Sequence, residues 1–145
     1  ACSTSSAYAG GFCLKHWELF FKTGGGDPEA TGNLTDEMIR TLADRGGIMG
    51  LNYCISFVRR DWKPGQPGAT MEELIRQIRY IINIGGEECL ALGSDFDGIE
   101  EAPEMENAGG MPKLAETMEG AGISHSLTEK IFWKNADRFL RENLR

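Results

Sequence analysis

The sequence predicts an α/β fold built on a parallel sheet. Two apolar runs, over residues 48–58 and 89–95, read as buried strands and alternate with amphipathic helices. The second run is short and continuous, which is typical of a strand buried on both faces, as in parallel sheets. With 145 residues and 41% hydrophobic content, the chain is large enough for one domain with its own core.

The elements follow one another in a regular order after a less regular start. Residues 1–33 show no clean period, so we expect an irregular N-terminal segment and a βα part over residues 34–145. The first helix is indicated by apolar residues at helical spacing, and a pair of glycines at 46–47 ends it. Its apolar positions are Leu34, Met38, Ile39 and Leu42. The strand predicted over 48–58 comes next.

Two capping boxes predict where later helices begin. Thr70 and Glu73 form the first box, ahead of an apolar stripe at helical spacing. The strand over 89–95 follows this helix, and a short helix is expected over 112–119. Ser126 and Glu129 form the second box, at the start of the final helix. Helices between strands are the connections that a parallel sheet requires, and they predict right-handed crossovers.

Composition and charge exclude some classes of partner. A net charge of −7 and a pI near 4.9 argue against binding to nucleic acid or to an anionic membrane surface. The apolar runs are too short to span a bilayer, and no secretion signal opens the chain. Cys54 and Cys89 lie in apolar runs without CxxC pairing, so we expect reduced, buried thiols and a cytoplasmic location.

The acids that end the second strand, Asp95 and Asp97, admit three interpretations. Aspartate beside glycine is typical of a turn, since its carboxylate accepts hydrogen bonds from nearby amides. A calcium loop needs more alternating acids before the glycine and a distant glutamate, and the sequence lacks that pattern. A carboxylate at the end of a strand can also carry a proton in catalysis. The turn is favoured for Asp97, whereas turn and catalysis both remain open for Asp95.

Three segments carry a resemblance to a known family. They are "NLTDEMIRTLADRGGIMGLNY", "YIINIGGEECLALGSDFDGI" and "KIFWKNADRFLRENL". In this order they resemble the C-terminal part of the renal (membrane) dipeptidase family of zinc peptidases, from Asn33 to about Leu144. The resemblance implies part of a TIM-type (β/α)8 barrel, incomplete in this chain, and zinc-dependent hydrolysis of dipeptides by a metal-bound hydroxide.

The resemblance also implies roles for individual residues. The first aspartate of "GSDFDG", here Asp95, is expected to be catalytic, contacting the substrate amine and relaying a proton. Asn52 and Cys54 lie at the end of the preceding predicted strand, and we expect them as neighbours of the substrate. Asp97 takes no role from the resemblance.

The metal ligands of the family are not found in this chain. Its His-x-Asp pair and bridging glutamate have no counterpart among the 145 residues. "CSTSSAY" resembles a ligand segment of the family, but Thr4 stands where the histidine would be, and threonine is a poor zinc ligand. His16 and His125 have no partner at metal spacing; we expect a surface or packing role for His16 and a solvent-facing position for His125. We therefore expect this chain to supply no ligand to the family's binuclear zinc site.

Three functions remain as alternatives. The first is a metallodipeptidase, of which this chain is a C-terminal part that is inactive alone. The second is a non-catalytic half-barrel that self-associates as a homo-oligomer or docks a complementary half, because exposed strand edges seek partners. The third is a small α/β binding domain whose acids only form a turn.

Overall fold

A computed structural model describes most of the chain from residue 33 onward. The described residues are 22–23, 33–59, 62–63, 65–66, 68–94, 96, 104–105 and 107–144. The predictions for Thr4, His16, Asp95 and Asp97 fall outside these residues.

The described elements alternate between strands and helices. In chain order they are β1 (Lys22–Thr23), α1 (Asp36–Asp44), β2 (Met49–Asn52), α2 (Ile55–Val58), α3 (Met71–Gly85), β3 (Leu90–Ser94), α4 (Met111–Gly120), α5 (His125–Glu129) and α6 (Asn135–Asn143). A 3-10 turn precedes α4, and a π-helical segment over Lys130–Lys134 joins α5 to α6. The strands form one parallel sheet in the order β1-β2-β3, which confirms the predicted α/β class.

The strand predicted over 48–58 is shorter than expected. It ends at Asn52, and residues 55–58 form the short helix α2 instead. The Asn52 side chain explains the change, because its Oδ1 accepts a hydrogen bond of 2.8 Å from the Cys54 amide. Such a bond turns the backbone locally and competes with continuation of the sheet.

One predicted capping box is confirmed and the other is wrong. The Thr70 side chain accepts a hydrogen bond from the Glu73 amide, and Glu73 Oε2 accepts one of 2.8 Å from the Thr70 amide. The final helical stretch begins earlier than predicted, with Ser124 as its cap, so Ser126 lies inside α5. The extended backbone of Ser124 lets its hydroxyl reach the Leu127 amide at 3.2 Å, which satisfies an otherwise free helix N–H.

The core centres on α3, which packs against α1, α4 and β3. Its fully buried side chains include Leu51, Tyr53, Leu74, Ile78, Ile81, Leu90, Leu114 and Met118. A smaller cluster of Ile48, Ala91 and Phe139 packs α6 near the starts of β2 and β3. The prediction that the second strand is buried on both faces holds only for its first half: Leu90 and Ala91 are buried, but Gly93 is exposed. Gly93 is the residue at which the regular pairing of β3 with β2 is interrupted, and it has no side chain to bury.

None of the helices in the described ranges combines the length and apolar character that a membrane span needs.

Candidate functional site

The carboxyl ends of β2 and β3 meet at one edge of the sheet. Asn52, the last residue of β2, pairs with Ser94, the last residue of β3. Asp95 follows Ser94 directly in the chain. The structure therefore brings Asn52 next to the residue that precedes the predicted catalytic aspartate, as expected for two neighbouring parallel strands.

This edge is distorted by a β-bulge. Leu51 pairs with Leu92, but Asn52 pairs with Ser94, so Gly93 is an extra residue on β3. Ser94 has a φ of 43°, in the left-handed region that residues other than glycine seldom adopt. Bulges bend a strand and re-aim the side chains that follow, and both features are over-represented beside active sites.

The bulge depends on close contact between two glycines. A Cβ atom on Gly93 would lie 2.8 Å from the carbonyl carbon and 2.9 Å from the Cα atom of Gly50. Real Cβ atoms are essentially never found this close to backbone, so β2 and β3 can approach this closely only because position 93 carries no side chain.

Tyr53 anchors the end of β3, although nothing in the sequence singles it out. Its amide donates a hydrogen bond of 3.0 Å to the Ser94 carbonyl. Its ring meets the Phe96 ring edge to face, with centroids 5.4 Å apart and an interplanar angle of 65°. Its hydroxyl donates to Met111 Sδ at 3.8 Å, and the side chain is fully buried. Burial raises the pKa of Tyr53 far above its usual range, so the hydroxyl stays neutral.

The two predicted substrate neighbours are buried in this chain. Asn52 is 3% and Cys54 is 6% exposed, and the Asn52 carbonyl oxygen accepts the hydrogen bond from the Cys54 amide. Their role toward a substrate stays a prediction. Cys54 and Cys89 are buried, as the sequence predicts.

Ionic contacts hold the connection after β2 against the start of α3. Arg59 Nη2 lies 2.8 and 2.7 Å from the two carboxylate oxygens of Glu73. Burial raises the pKa of Glu73, but the hydrogen bond from the Thr70 amide and the Arg59 guanidinium lower it more, so the pKa lies below its usual range. Farther along the chain, Glu104 Oε2 accepts a hydrogen bond of 3.3 Å from the Met71 amide.

A cleft opens at the other end of the strands and does not belong to this site. Its volume is about 230 Å³, and its lining includes Gly46, Glu88, Cys89 and Arg138. Burial raises the pKa of the Cys89 thiol, and the Arg138 guanidinium already binds the Gly46 and Glu88 carbonyls. The cleft thus holds a thiol that burial keeps protonated and a guanidinium whose two Nη atoms already donate to carbonyls.

Within the described ranges, no three side chains of His, Cys, Asp or Glu gather where a metal ion could bind. His125 is solvent-facing, as predicted, with a side chain that is 76% exposed. Its Nδ1 lies 2.7 Å from Glu119 Oε1, and this hydrogen bond raises the pKa of His125. The described residues therefore do not fit a binuclear metal centre.

Comparison with known proteins identifies relatives over most of the chain. The family model described as membrane dipeptidase (peptidase family M19) matches residues 28–144. An uncharacterized protein in the pqqA 5′ region of Klebsiella pneumoniae is 38% identical over 109 residues, which cover 75% of this chain and 40% of that protein. An uncharacterized dipeptidase of Schizosaccharomyces pombe is 36% identical over 83 residues, 57% of this chain and 19% of that protein.

Two solved structures are similar in both sequence and fold. One is a metallo peptidase of family M19, dipeptidase AC, with a TM-score of 0.70 and 31% identity over 78% of this chain and 33% of that chain. The other is a metallo peptidase from Rhodobacter sphaeroides, liganded with a phosphinate mimic of the dipeptide L-Ala-D-Ala; it also gives a TM-score of 0.70 and 31% identity, over 78% of this chain and 32% of that chain. The chain thus spans less than half the length of these relatives.

Proposed function

The chain belongs to the membrane dipeptidase family (peptidase family M19), and from this premise we propose that it is the C-terminal βα part of a metallodipeptidase. The proposed reaction is hydrolysis of the peptide bond of a dipeptide. The proposed architecture is a TIM-type (β/α)8 barrel, to which this chain contributes its last strands. The parallel pairing of β2 with β3 and the similarity to M19 structures support that architecture.

The observation that carries the proposal is the geometry just before Asp95. Strand β3 ends in a bulge, and Ser94 takes a left-handed conformation that costs free energy. Such strain is found mainly where function requires a particular backbone direction. In barrel enzymes, catalytic side chains lie at the carboxyl ends of the strands, which is where Asp95 stands in the chain.

We assign the catalytic role to Asp95. A carboxylate in this position can accept a hydrogen bond from the substrate's amino group and can carry a proton during cleavage. Asn52 and Cys54 are proposed as substrate neighbours, because both lie at the carboxyl end of β2, beside Ser94.

A metal is implied by membership in a metallopeptidase family, and we propose zinc. The described residues do not gather the ligands for it, so no catalytic step on this chain is assigned to the metal. The ligands would come from other residues or from a further polypeptide. The proposal is therefore that the chain alone is inactive.

The experiment uses the chain alone and a chimera. We would measure zinc content and hydrolysis of L-Ala-D-Ala, with and without added zinc, for the 145-residue chain. The chimera joins the amino-terminal part of the Rhodobacter sphaeroides relative to residues 33–144 of this chain, and it receives the same assay. We expect no turnover by the chain alone and zinc-dependent turnover by the chimera.

Variants of the two acids provide the matched comparison. Asp95→Asn is expected to abolish turnover in the chimera, whereas Asp97→Asn retains it. Turnover by the chain alone would overturn the claim of inactivity. A folded, metal-loaded chimera that keeps its turnover after Asp95→Asn would overturn the role of Asp95.

A second candidate function is an interaction module that docks a complementary half or another copy. Among the described strands, β3 has a partner on one side only, and its burial falls toward its carboxyl end. Trp133, Leu140 and Leu144 are also exposed on the last helical stretch. Light scattering after gel filtration tests this candidate: multiples of 16.0 kDa support self-association, and a monomer at high concentration counts against it.

Cytoplasmic location and a boundary at residue 33 are also proposals. The burial of Cys54 and Cys89 in apolar runs without CxxC pairing supports a reducing compartment. Cell fractionation tests the location, and limited proteolysis tests the boundary: recovery in an extracellular fraction, or protease resistance of residues 1–33, would contradict them.

A further inference from the structure

We propose that Tyr53 is a positioning residue that holds Ser94 and Phe96, the two chain neighbours of Asp95. The catalytic meaning of this role rests on the proposed function. The contacts themselves are properties of this chain and can be measured without any activity.

The two contacts lie on either side of Asp95. The Tyr53 amide binds the Ser94 carbonyl at 3.0 Å, and the Tyr53 ring packs edge to face on Phe96 at a centroid distance of 5.4 Å. Ser94 and Phe96 are the residues immediately before and after Asp95. One residue of the neighbouring strand's end therefore holds the backbone on both sides of the proposed catalytic residue.

Tyr53 is itself well held, so it can act as a fixed support. Its side chain is fully buried in the main core. Its hydroxyl donates to the sulfur of Met111, the first residue of α4. Because this hydroxyl points at a thioether in the core, we assign Tyr53 no part in proton transfer and attribute its effect to packing.

The described residues farther along this loop are anchored at other places. Glu104 accepts a hydrogen bond from the Met71 amide at the start of α3, and Met105 is 4% exposed. Gly110 lies against Met105, since a Cβ on Gly110 would be 2.7 Å from Met105 Cγ. Both Tyr53 contacts lie directly beside Asp95 in the sequence, so loss of the ring contact should loosen the backbone at Phe96 while the later anchors remain.

The test measures amide hydrogen exchange by NMR on the 145-residue chain. Exchange of the amides of residues 94–98 is expressed relative to the amides of Leu90 and Ala91 in the same strand. Tyr53→Leu removes the ring contact and is expected to raise this relative exchange about tenfold, the order of effect of one aromatic pair. Tyr53→Phe keeps the ring and is expected to restore the protection to within about twofold, since only the weak contact with sulfur is lost.

Phe139→Leu is the matched control, because it also trims a buried aromatic side chain, in the smaller cluster at the starts of the strands. Because Phe139 packs with Ala91, its loss should not raise the exchange of residues 94–98 relative to Leu90 and Ala91. If Tyr53→Leu alters the relative exchange no more than Phe139→Leu does, the proposal is wrong. Phe96→Leu removes the same contact from a half-buried position and provides the answer if Tyr53→Leu does not fold.

The result is separable from the proposed function. Loss of protection in Tyr53→Leu together with an inactive chimera would leave the anchor in place and reject the enzyme. An active chimera, together with unchanged amide protection in Tyr53→Leu, would support the enzyme and reject the anchor.

Discussion

The two ends of β2 and β3 are held by different means. At the amino end, side chains of α6 bind backbone carbonyls. Asn135, which is 1% exposed, donates from Nδ2 to the carbonyls of Glu87 at 2.7 Å and Leu90 at 2.8 Å. Arg138 donates to the carbonyls of Glu88 and Gly46, the latter before β2.

At the carboxyl end, the contacts come from neighbouring backbone and from a short-range side chain. The Ser94 carbonyl is bound by the Tyr53 amide, and Asn52 binds the Cys54 amide. Here the strand carries an extra residue and a left-handed serine.

The difference separates stability from proposed function. Because the buried Asn135 side chain donates to two carbonyls, we expect substitutions at the amino end to cost much stability. The carboxyl end instead accepts a strained backbone, as expected where a fold presents reactive groups. Substitutions at the two ends should therefore differ in how much they change stability and in the physical cause of that change.

The largest expected effect is at the amino end, for Asn135→Ala. The substitution removes two hydrogen bonds and leaves the buried Leu90 carbonyl and the half-buried Glu87 carbonyl without this donor, at a cost of about 3 kcal/mol in the free energy of unfolding. Urea denaturation measures the change. Asn143→Ala is the control, because its Nδ2 makes a single bond, to the Phe139 carbonyl, at an exposed helix end. We expect less than about 0.5 kcal/mol there, and equal losses in both variants would contradict the comparison.

The next effect is at the carboxyl end, for Gly93→Ala. The new methyl group would meet the backbone of Gly50, so the strands must separate, at about 2 kcal/mol. Gly120→Ala, in α4, is the matched control because a Cβ there meets nothing within 4 Å. A helical alanine should stabilise the chain by about 0.5 kcal/mol. Thermal unfolding should thus show opposite signs, and a harmless Gly93→Ala would refute close contact at the bulge.

The smallest effect concerns the ionic contact beside the carboxyl end, in Glu73→Gln. Because the folded pKa of Glu73 lies below its usual range, its charge stabilises the fold at neutral pH, and this contribution is lost as pH falls below about 4.3. We expect about 1 kcal/mol of destabilisation at pH 7 that shrinks toward zero in acid. Unfolding measured from pH 7 to pH 3 checks this. Glu72→Gln, an exposed neighbour in the same turn, is the control and should destabilise the chain less at pH 7.

Local signals predicted the parts of the fold that depend on local chemistry. The box of Thr70 and Glu73 and the parallel pairing of the two strands are both confirmed. The early end of β2 was not predicted. The apolar run continues past Asn52, and a single polar residue within such a run does not by itself indicate the end of a strand. The cap at Ser124 was not predicted, because the capping-box pattern selected Ser126 and the true start depends on backbone angles that the sequence does not contain.

For the site, the sequence predicted the location but not the backbone geometry. The motif around Asp95 drew attention to the end of β3, and parallel topology correctly placed Asn52 beside that end. The bulge and the anchor at Tyr53 were missed, since both depend on contacts between residues about 40 positions apart in the chain. The role of Asp95 stays a prediction, because its side chain is outside the described residues.

The glycine contact at the bulge also sets limits for protein engineering. In a mutagenesis library that includes position 93, most variants at that position would be destabilised, because any side chain there meets the backbone of Gly50. Position 94 favours Gly, Asn or Asp, which tolerate its left-handed conformation, over β-branched residues, which do not. Substitutions are better placed in the connections after β2 and β3, where new side chains can change the surroundings of the strand ends without separating the two strands.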